Sequence, residues 1–376
     1  MTLKVADLFC GTGGFSYGFT QAHDFRVVLG IDIKRDAVET FSANNPGALA
    51  IADDIRNVRV HELAERLGGQ NGAIDVIVGG PPCQGFSSIR PYRSINEDDR
   101  RNSLFEQYTL FVDFFRPKFL VFENVVGLLG HKTGRTLEAI RASIQAMGYA
   151  TDLAVLNAVH FGVPQKRERV ILLGRRGRTK PELPSPTHHF DGRGMAGDWT
   201  IKALPLFDSD LLAPVTVDDA IRDLPPIAGG GTATEYRTDV KPTAYAKERR
   251  KKCKELTLHS ATKHTPRMLQ IIRLAGANRW ALPEGLTTSG FSSCYSRLTA
   301  GEPSTTITVN FVHPASNRCI HPSQDRALTP REGARIQSFD DDFVFCGSRT
   351  QIVKQIGEAV PPLLGRALAE AVKFQV

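Results

Sequence analysis

The strongest constraint on this chain is a rhythm near its start. Four strand-like apolar runs, LKVADLF (3–9), VVLGI (27–31), IDVIV (74–78) and FLVFE (119–123), alternate with stretches of helical periodicity. Ala37, Val38 and Phe41 make one helical stripe that stops at Asn45-Pro46. Leu137, Ile140, Ile144 and Met147 make another, ended by Gly148. Two further β-rich runs, ATDLAVLN (150–157) and RVILLG (169–174), complete what a doubly wound sheet needs. The expected fold class is therefore α/β, with a mostly parallel, Rossmann-like, doubly wound sheet.

Past Arg175 the rhythm gives way to Gly, Pro, Ser, Thr and charge, as in GRRGRTKPELPSPTHH and DLPPIAGGGTATE. Helical signals return near Leu328, where Thr329 is placed to cap a helix with Pro330 first in it and Glu332 third. The run LLGRALAEAV predicts a last helix. These shifts divide the chain into 1–175, a smaller irregular domain over 176–325, and a segment 326–376 that returns to the first domain.

With 376 residues, 41% hydrophobic and 23% charged, the chain is too apolar to be disordered. No apolar run nears the roughly 18 residues of a membrane span. Lys4 and Asp7 stand where a signal peptide needs apolar residues, so a cytoplasmic protein with no membrane partner is expected. Cys10, Cys83, Cys253, Cys294, Cys319 and Cys346 form no C-x-x-C pair, and no zinc-type His motif occurs, so neither disulfides nor a metal are expected. The net charge of +7 is local: between Lys241 and Trp280 stand eleven Lys or Arg against two acids. The densest piece, KERRKKCK (247–254), reads as a phosphate-binding patch or as a solvated helix face. Tyr245, Trp280 and Tyr295 lie in or near it and are candidates for stacking on bases.

The first strand runs into Asp7-Leu8-Phe9-Cys10-Gly11-Thr12-Gly13-Gly14-Phe15, where successive glycines let a ligand approach the backbone. Ser16 replaces the third glycine of a dinucleotide fingerprint, which argues against a pyrophosphate cradle. Asp32 ends the next strand, where a carboxylate can accept from ribose hydroxyls, so an adenosine without pyrophosphate fits. The run at 74–78 empties into Gly79-Gly80-Pro81-Pro82-Cys83, a thiol on a rigid stem at the carboxyl edge of the sheet. A nucleophile belongs there, although a free cysteine is more often buried and inert. Glu123-Asn124 leaves the neighbouring strand at that edge and brings a candidate proton donor towards Cys83. In QKRERV (165–170), alternation sends Arg167 and Arg169 to one face, either to grip an anion or base carbonyl or as a solvated edge.

Taken in order, DLFCGTGGF, GGPPCQGFS, FENV, QKRERV, RLTAGEPSTTIT and GEAVPPLL resemble the motif series of the DNA (cytosine-5)-methyltransferases. The likeness covers about residues 3–175 and 297–370, leaving the part between as that family's target-recognition region. It implies a catalytic domain that binds S-adenosylmethionine, yields S-adenosylhomocysteine and acts on double-stranded DNA. It implies Cys83 as nucleophile, Glu123 as the group that contacts and protonates the cytosine ring at nitrogen 3, Arg169 as a base contact and Arg167 as their support. For the cofactor it implies the loop of Phe9, Cys10, Gly11, Thr12, Gly13, Gly14 and Phe15, with Phe15 against the adenine. Asp32, beside Ile33, is implied on the ribose, Asp54 and Ile55 around the adenine, and Pro82, Leu104, Glu358 and Val360 nearby.

Carbon 5 of cytosine is a poor nucleophile until a thiolate adds at carbon 6. A free thiol is only a few per cent thiolate at neutral pH, so positive charge from Arg167 and Arg169 would help. The target base must also leave the stack, and the polar, aperiodic stretch 88–102 is expected to close over it as a lid. Two positions depart from the family pattern. Asp340 stands where a proline is common and is expected to change only a loop; Glu358 replaces an asparagine near the cofactor, where its charge attracts the sulfonium or repels the carboxylate. The absence of a long N-terminal extension resembles the compact prokaryotic enzymes, which act as monomers on DNA and are commonly paired with a separately acting restriction endonuclease. A tRNA methyltransferase and a non-catalytic DNA-binding regulator are the alternative readings.

Overall fold

A computed structural model of the chain describes residues 2–70, 72–82, 103–191, 210–251, 253–287 and 292–376. Cys83 and the expected lid, 88–102, lie outside the described residues. The described residues form nine strands: β1 (Leu3–Leu8), β2 (Phe25–Asp32), β3 (Leu49–Ala52), β4 (Val76–Gly79), β5 (Phe119–Val125), β6 (Tyr149–Asn157), β7 (Gln165–Lys166), β8 (Glu168–Arg176) and β9 (Ser304–Thr305). Seven form one sheet in the order β3-β2-β1-β4-β5-β8-β6, while β7 pairs with β9. Strands β1 to β5 run parallel and β8 runs antiparallel to both its neighbours. The direction of winding reverses between β1 and β4, so their carboxyl ends open the crevice where doubly wound sheets take ligands.

The strands alternate apolar side chains between two cores, as their period of two requires. Ala6, Leu8, Ile77 and Leu120 face one core, Val5, Val78 and Val121 the other. Helices α1 (Gly14–Gln21), α2 (Arg35–Asn44), α3 (Val60–Arg66), α4 (Ser103–Phe115), α5 (Gly127–Gly130) and α6 (Arg135–Ala146) punctuate the strands. Then follow α7 (Val217–Ile221), α8 (Ala244–Arg250), α9 (Pro266–Leu274), α10 (Pro330–Ile336), α11 (Arg349–Glu358) and α12 (Pro362–Lys373). Helix α12 lies on α1 at glycine contacts: a Cβ on Gly18 would stand 2.3 Å from the Pro362 carbonyl oxygen. Among the described residues no helix is long and apolar enough to cross a membrane.

The predicted cap at α10 forms. Glu332 N donates to Thr329 Oγ1 (3.2 Å) and Thr329 N donates to Glu332 Oε2 (2.8 Å), with Pro330 opening the helix. A third core joins Val217, Leu224, Leu298 and Phe311 of the irregular part to Leu328, Phe339 and Ile356 of the C-terminal segment.

Asp340 does far more than alter a loop. Its buried carboxylate accepts from Tyr17 Oη (2.8 Å) and Gln21 Nε2 (2.9 Å) of α1, and pairs with Arg249 (2.8 Å) and Lys251 (2.5 Å) at the end of α8. These partners also revise the basic run. Arg249 is buried, Lys251 is engaged by Asp340, and the Arg250 guanidinium lies 3.8 Å from the centre of the Tyr236 ring. Lys247 and Lys254 stay exposed. Of the candidate stacking residues, Tyr245 is buried with its hydroxyl on the Arg335 carbonyl (2.6 Å), Tyr295 is half-buried, and Trp280 alone is open to solvent, at 75% exposure.

Candidate active site

The turn after β1 is tight because three of its residues adopt left-handed backbone: Phe9 (φ 62°), Gly11 (φ 50°) and Gly13 (φ 81°). Cys10 N donates to the Ile31 carbonyl (3.0 Å) and Gly13 N to the Cys10 carbonyl (2.7 Å), which ties the loop to β2 and starts α1. Asp32 completes the tie by accepting from Gly11 N (2.9 Å) through one oxygen and from Lys34 N (2.9 Å) through the other. Burial raises its pKa against these hydrogen bonds.

A cavity of about 410 Å³ opens beside this loop, a volume typical of a small-molecule site. Phe9, Cys10, Gly11 and Thr12 line it from the turn after β1, Gly14 and Phe15 from the start of α1, and Asp32 and Ile33 from the end of β2 and the residue after it. Asp54 and Ile55 line it after β3, Pro82 after β4, Leu104 from α4, and Glu358 and Val360 from the C-terminal segment. Gly13 is the one expected cofactor residue not on its wall; it serves as the cap of α1.

The wall also carries residues the sequence did not single out: Asp7, Lys34, Asp53, Arg56 and Gln355. Asp7 is buried, its Oδ2 has no hydrogen-bond partner, and burial lifts its pKa to about 7 against the opposing effect of Ser16. Thr12 Oγ1 is likewise buried without a partner. Such orphaned polar atoms at a cavity wall fit a ligand that brings polar groups of its own. In the sequence Asp7 opens the DLFCGTGGF run, with no role assigned to it there. Arg56 pairs with Asp54, and Lys34 Nζ stands 2.5 Å from Glu358 Oε2.

Glu123 reaches the same cavity from β5. Its Oε1 is 2.8 Å from Arg169 Nε on β8, and both side chains are largely buried. Gly80 admits the carboxylate: a Cβ there would stand 2.8 Å from Glu123 Oε2. Asn124 Nδ2 donates to the Pro81 carbonyl (2.9 Å), so the prolyl stem that precedes Cys83 lies against the Glu123-Asn124 step. Arg167 goes elsewhere. Its buried guanidinium donates to the carbonyls of Ile307 (3.2 Å), Gly357 (3.2 Å) and Glu358 (3.3 Å), and burial together with Arg169 lowers its pKa. A shared anion grip by Arg167 and Arg169, one reading of their alternation, does not form: Arg169 holds a carboxylate and Arg167 holds backbone.

A doubly wound sheet with one antiparallel strand, enclosing such a cavity at its switch point, is an α/β methyltransferase fold. A prophage-encoded DNA modification methyltransferase structure from E. coli superposes with a TM-score of 0.74 at 23% identity, covering 99% of each chain. The chain belongs to the C-5 cytosine-specific DNA methylase family, whose model matches residues 3–373. It is 35% identical to Type II methyltransferase M.AgeI of Thalassovita gelatinovora over the full length of both chains. It is 33% identical to Type II methyltransferase M1.HphI of Haemophilus parahaemolyticus, over 99% of this chain and 87% of that one. The protein is thus a DNA (cytosine-5)-methyltransferase, and the family uses S-adenosylmethionine.

Proposed function

We propose that this enzyme methylates one cytosine, swung out of a specific duplex DNA sequence, as the modification partner of a restriction endonuclease that acts separately. The observation that carries the residue roles is that one cavity is lined both by the β1 loop with Asp32 and by Glu123, beside the stem of Cys83. S-Adenosylmethionine, when bound, supplies an electrophilic methyl group. In this reading the Phe9 to Phe15 loop lets the cofactor close on the backbone, with Gly13 fixing the turn. Asp32, beside Ile33, accepts from the ribose hydroxyls, and Asp54, Ile55 and Phe15 hold the adenine. Pro82, Leu104, Glu358 and Val360 complete the wall.

The Cys83 thiolate adds to carbon 6 of the cytosine while Glu123 protonates nitrogen 3, which makes carbon 5 electron-rich enough to take the methyl group. Loss of the carbon 5 proton then expels Cys83. Arg169 orients Glu123 and contacts the base. Arg167 is a positioning residue, because both terminal nitrogens of its guanidinium donate to backbone carbonyls. Residues 176–325 read the DNA, with exposed Lys254, Lys263 and Arg267 available to phosphates. The enzyme works in the cytoplasm as a monomer on DNA, without a metal. The Type II names of its relatives support the restriction-modification setting. Bisulfite sequencing of DNA from expressing cells tests the reading: methylation at one cytosine of one short word is expected, and methylated tRNA with unmethylated DNA would overturn it.

A further inference from the structure

Lys34 and Glu358 meet at the rim of the cavity, each about half exposed and each part of its lining. They arrive on different elements, Lys34 just before α2 and Glu358 as the last residue of α11. Farther in, those helices are joined by a buried polar layer. Thr40 Oγ1 donates to Gln355 Oε1 (2.8 Å), and Gln355 Nε2 donates to Asp36 Oδ2 (3.0 Å) and to the Cys346 carbonyl (2.9 Å). The ion pair therefore closes only the cavity end of a seam that other contacts hold shut. Backbone contacts anchor both residues: Asp32 accepts from Lys34 N, and Arg167 donates to the Glu358 carbonyl.

We propose that Lys34 is an affinity-determining residue of the cofactor site, neutralising Glu358 so that this corner of the rim adds little net charge to the site. The inference rests on the reading that the cavity holds S-adenosylmethionine. That molecule carries one more positive charge than S-adenosylhomocysteine, so a bare Glu358 carboxylate would favour the sulfonium form over the product. With Lys34 in contact, the two fields largely cancel and the pair itself favours neither ligand on charge. Because the pair is half exposed, the effect is a few-fold one and is screened by salt.

Isothermal titration of both ligands into the wild type, Lys34→Met, Glu358→Gln, the double variant and Lys34→Arg tests this by binding alone. The ratio of product Kd to substrate Kd is expected to rise by about two- to fivefold in Lys34→Met. It should return to the wild-type value in the double variant and stay there in Lys34→Arg, and the rise should shrink with added salt. An unmoved ratio in Lys34→Met, or the same rise in the double variant, overturns the proposal while leaving the cavity reading intact. Failure of the wild type to bind either ligand overturns both.

Discussion

Arg169 Nε stands 2.8 Å from Glu123 Oε1 across the antiparallel β5–β8 pair. The register sets Arg169 opposite Val125, so the two side chains meet on the diagonal, within reach of a long guanidinium. Glu123→Gln keeps the shape and removes the proposed proton donor. Methyl transfer in a single turnover is expected to slow by roughly 10² to 10⁴, with cofactor affinity changed only a few-fold. A loss under tenfold would mean that Glu123 does not move the proton.

Asp340 is the hub between α1, which follows the turn after β1, and the end of α8 in the irregular part. Asp340→Ala takes the buried acid from Arg249, which keeps Glu248 and the Ser338 carbonyl. A stability loss of about 2 to 4 kcal/mol in urea unfolding is expected, short of that of a fully stranded buried charge. A loss below about 1 kcal/mol, the range of surface pairs, would show that the hub contributes no more than an exposed contact.

Local patterns were legible in the sequence, and contacts between distant segments were not. The capping box at Thr329 and Glu332 is an i, i+3 relationship, and the sheet strands announce themselves by apolar runs between breakers. The loop after β1 and Asp32 could be placed at one sheet edge because strand ends share that edge in a doubly wound fold. Asp340 could not be read this way, since its partners come from Tyr17, Gln21, Arg249 and Lys251. For the same reason KERRKKCK looked like an open basic face, although Arg249 turns inward to an acid invisible from its own neighbourhood. Alternation correctly separates strand faces, but it cannot say that Arg167 will meet carbonyls of residues 307, 357 and 358.

Asp7 gives the protein a pH signature. Burial raises its pKa to about 7, above the ordinary carboxylate value. A carboxyl raised on folding contributes its full stability below its unfolded value near 4 and loses it as pH rises towards the folded value. Asp7→Asn stays neutral throughout. The wild type should lose stability relative to this variant between about pH 4 and pH 7, as followed by thermal unfolding at several pH values. Parallel profiles for the two proteins would contradict a buried carboxyl whose Oδ2 has no partner.

Revision of the basic run predicts a smaller electrostatic contribution to DNA binding than its charge count suggests. Lys254→Ala removes an exposed cation and should reduce the slope of log Kd against log salt by about one, as loss of one phosphate contact does. Lys251→Met removes a cation engaged by Asp340 and should leave the slope nearly unchanged. Equal losses in the two variants would return Lys251 to the DNA face.

The central claim is that Cys83 bonds to the target base beside Glu123. Incubating the enzyme with S-adenosylmethionine and a duplex carrying 5-fluorocytosine at the target position tests it most directly, because fluorine cannot leave carbon 5 as a proton does. A stable protein–DNA adduct whose mass maps to the peptide containing Cys83, absent in Cys83→Ser, is the predicted result. An adduct through another residue, or turnover retained in Cys83→Ser, would contradict the account.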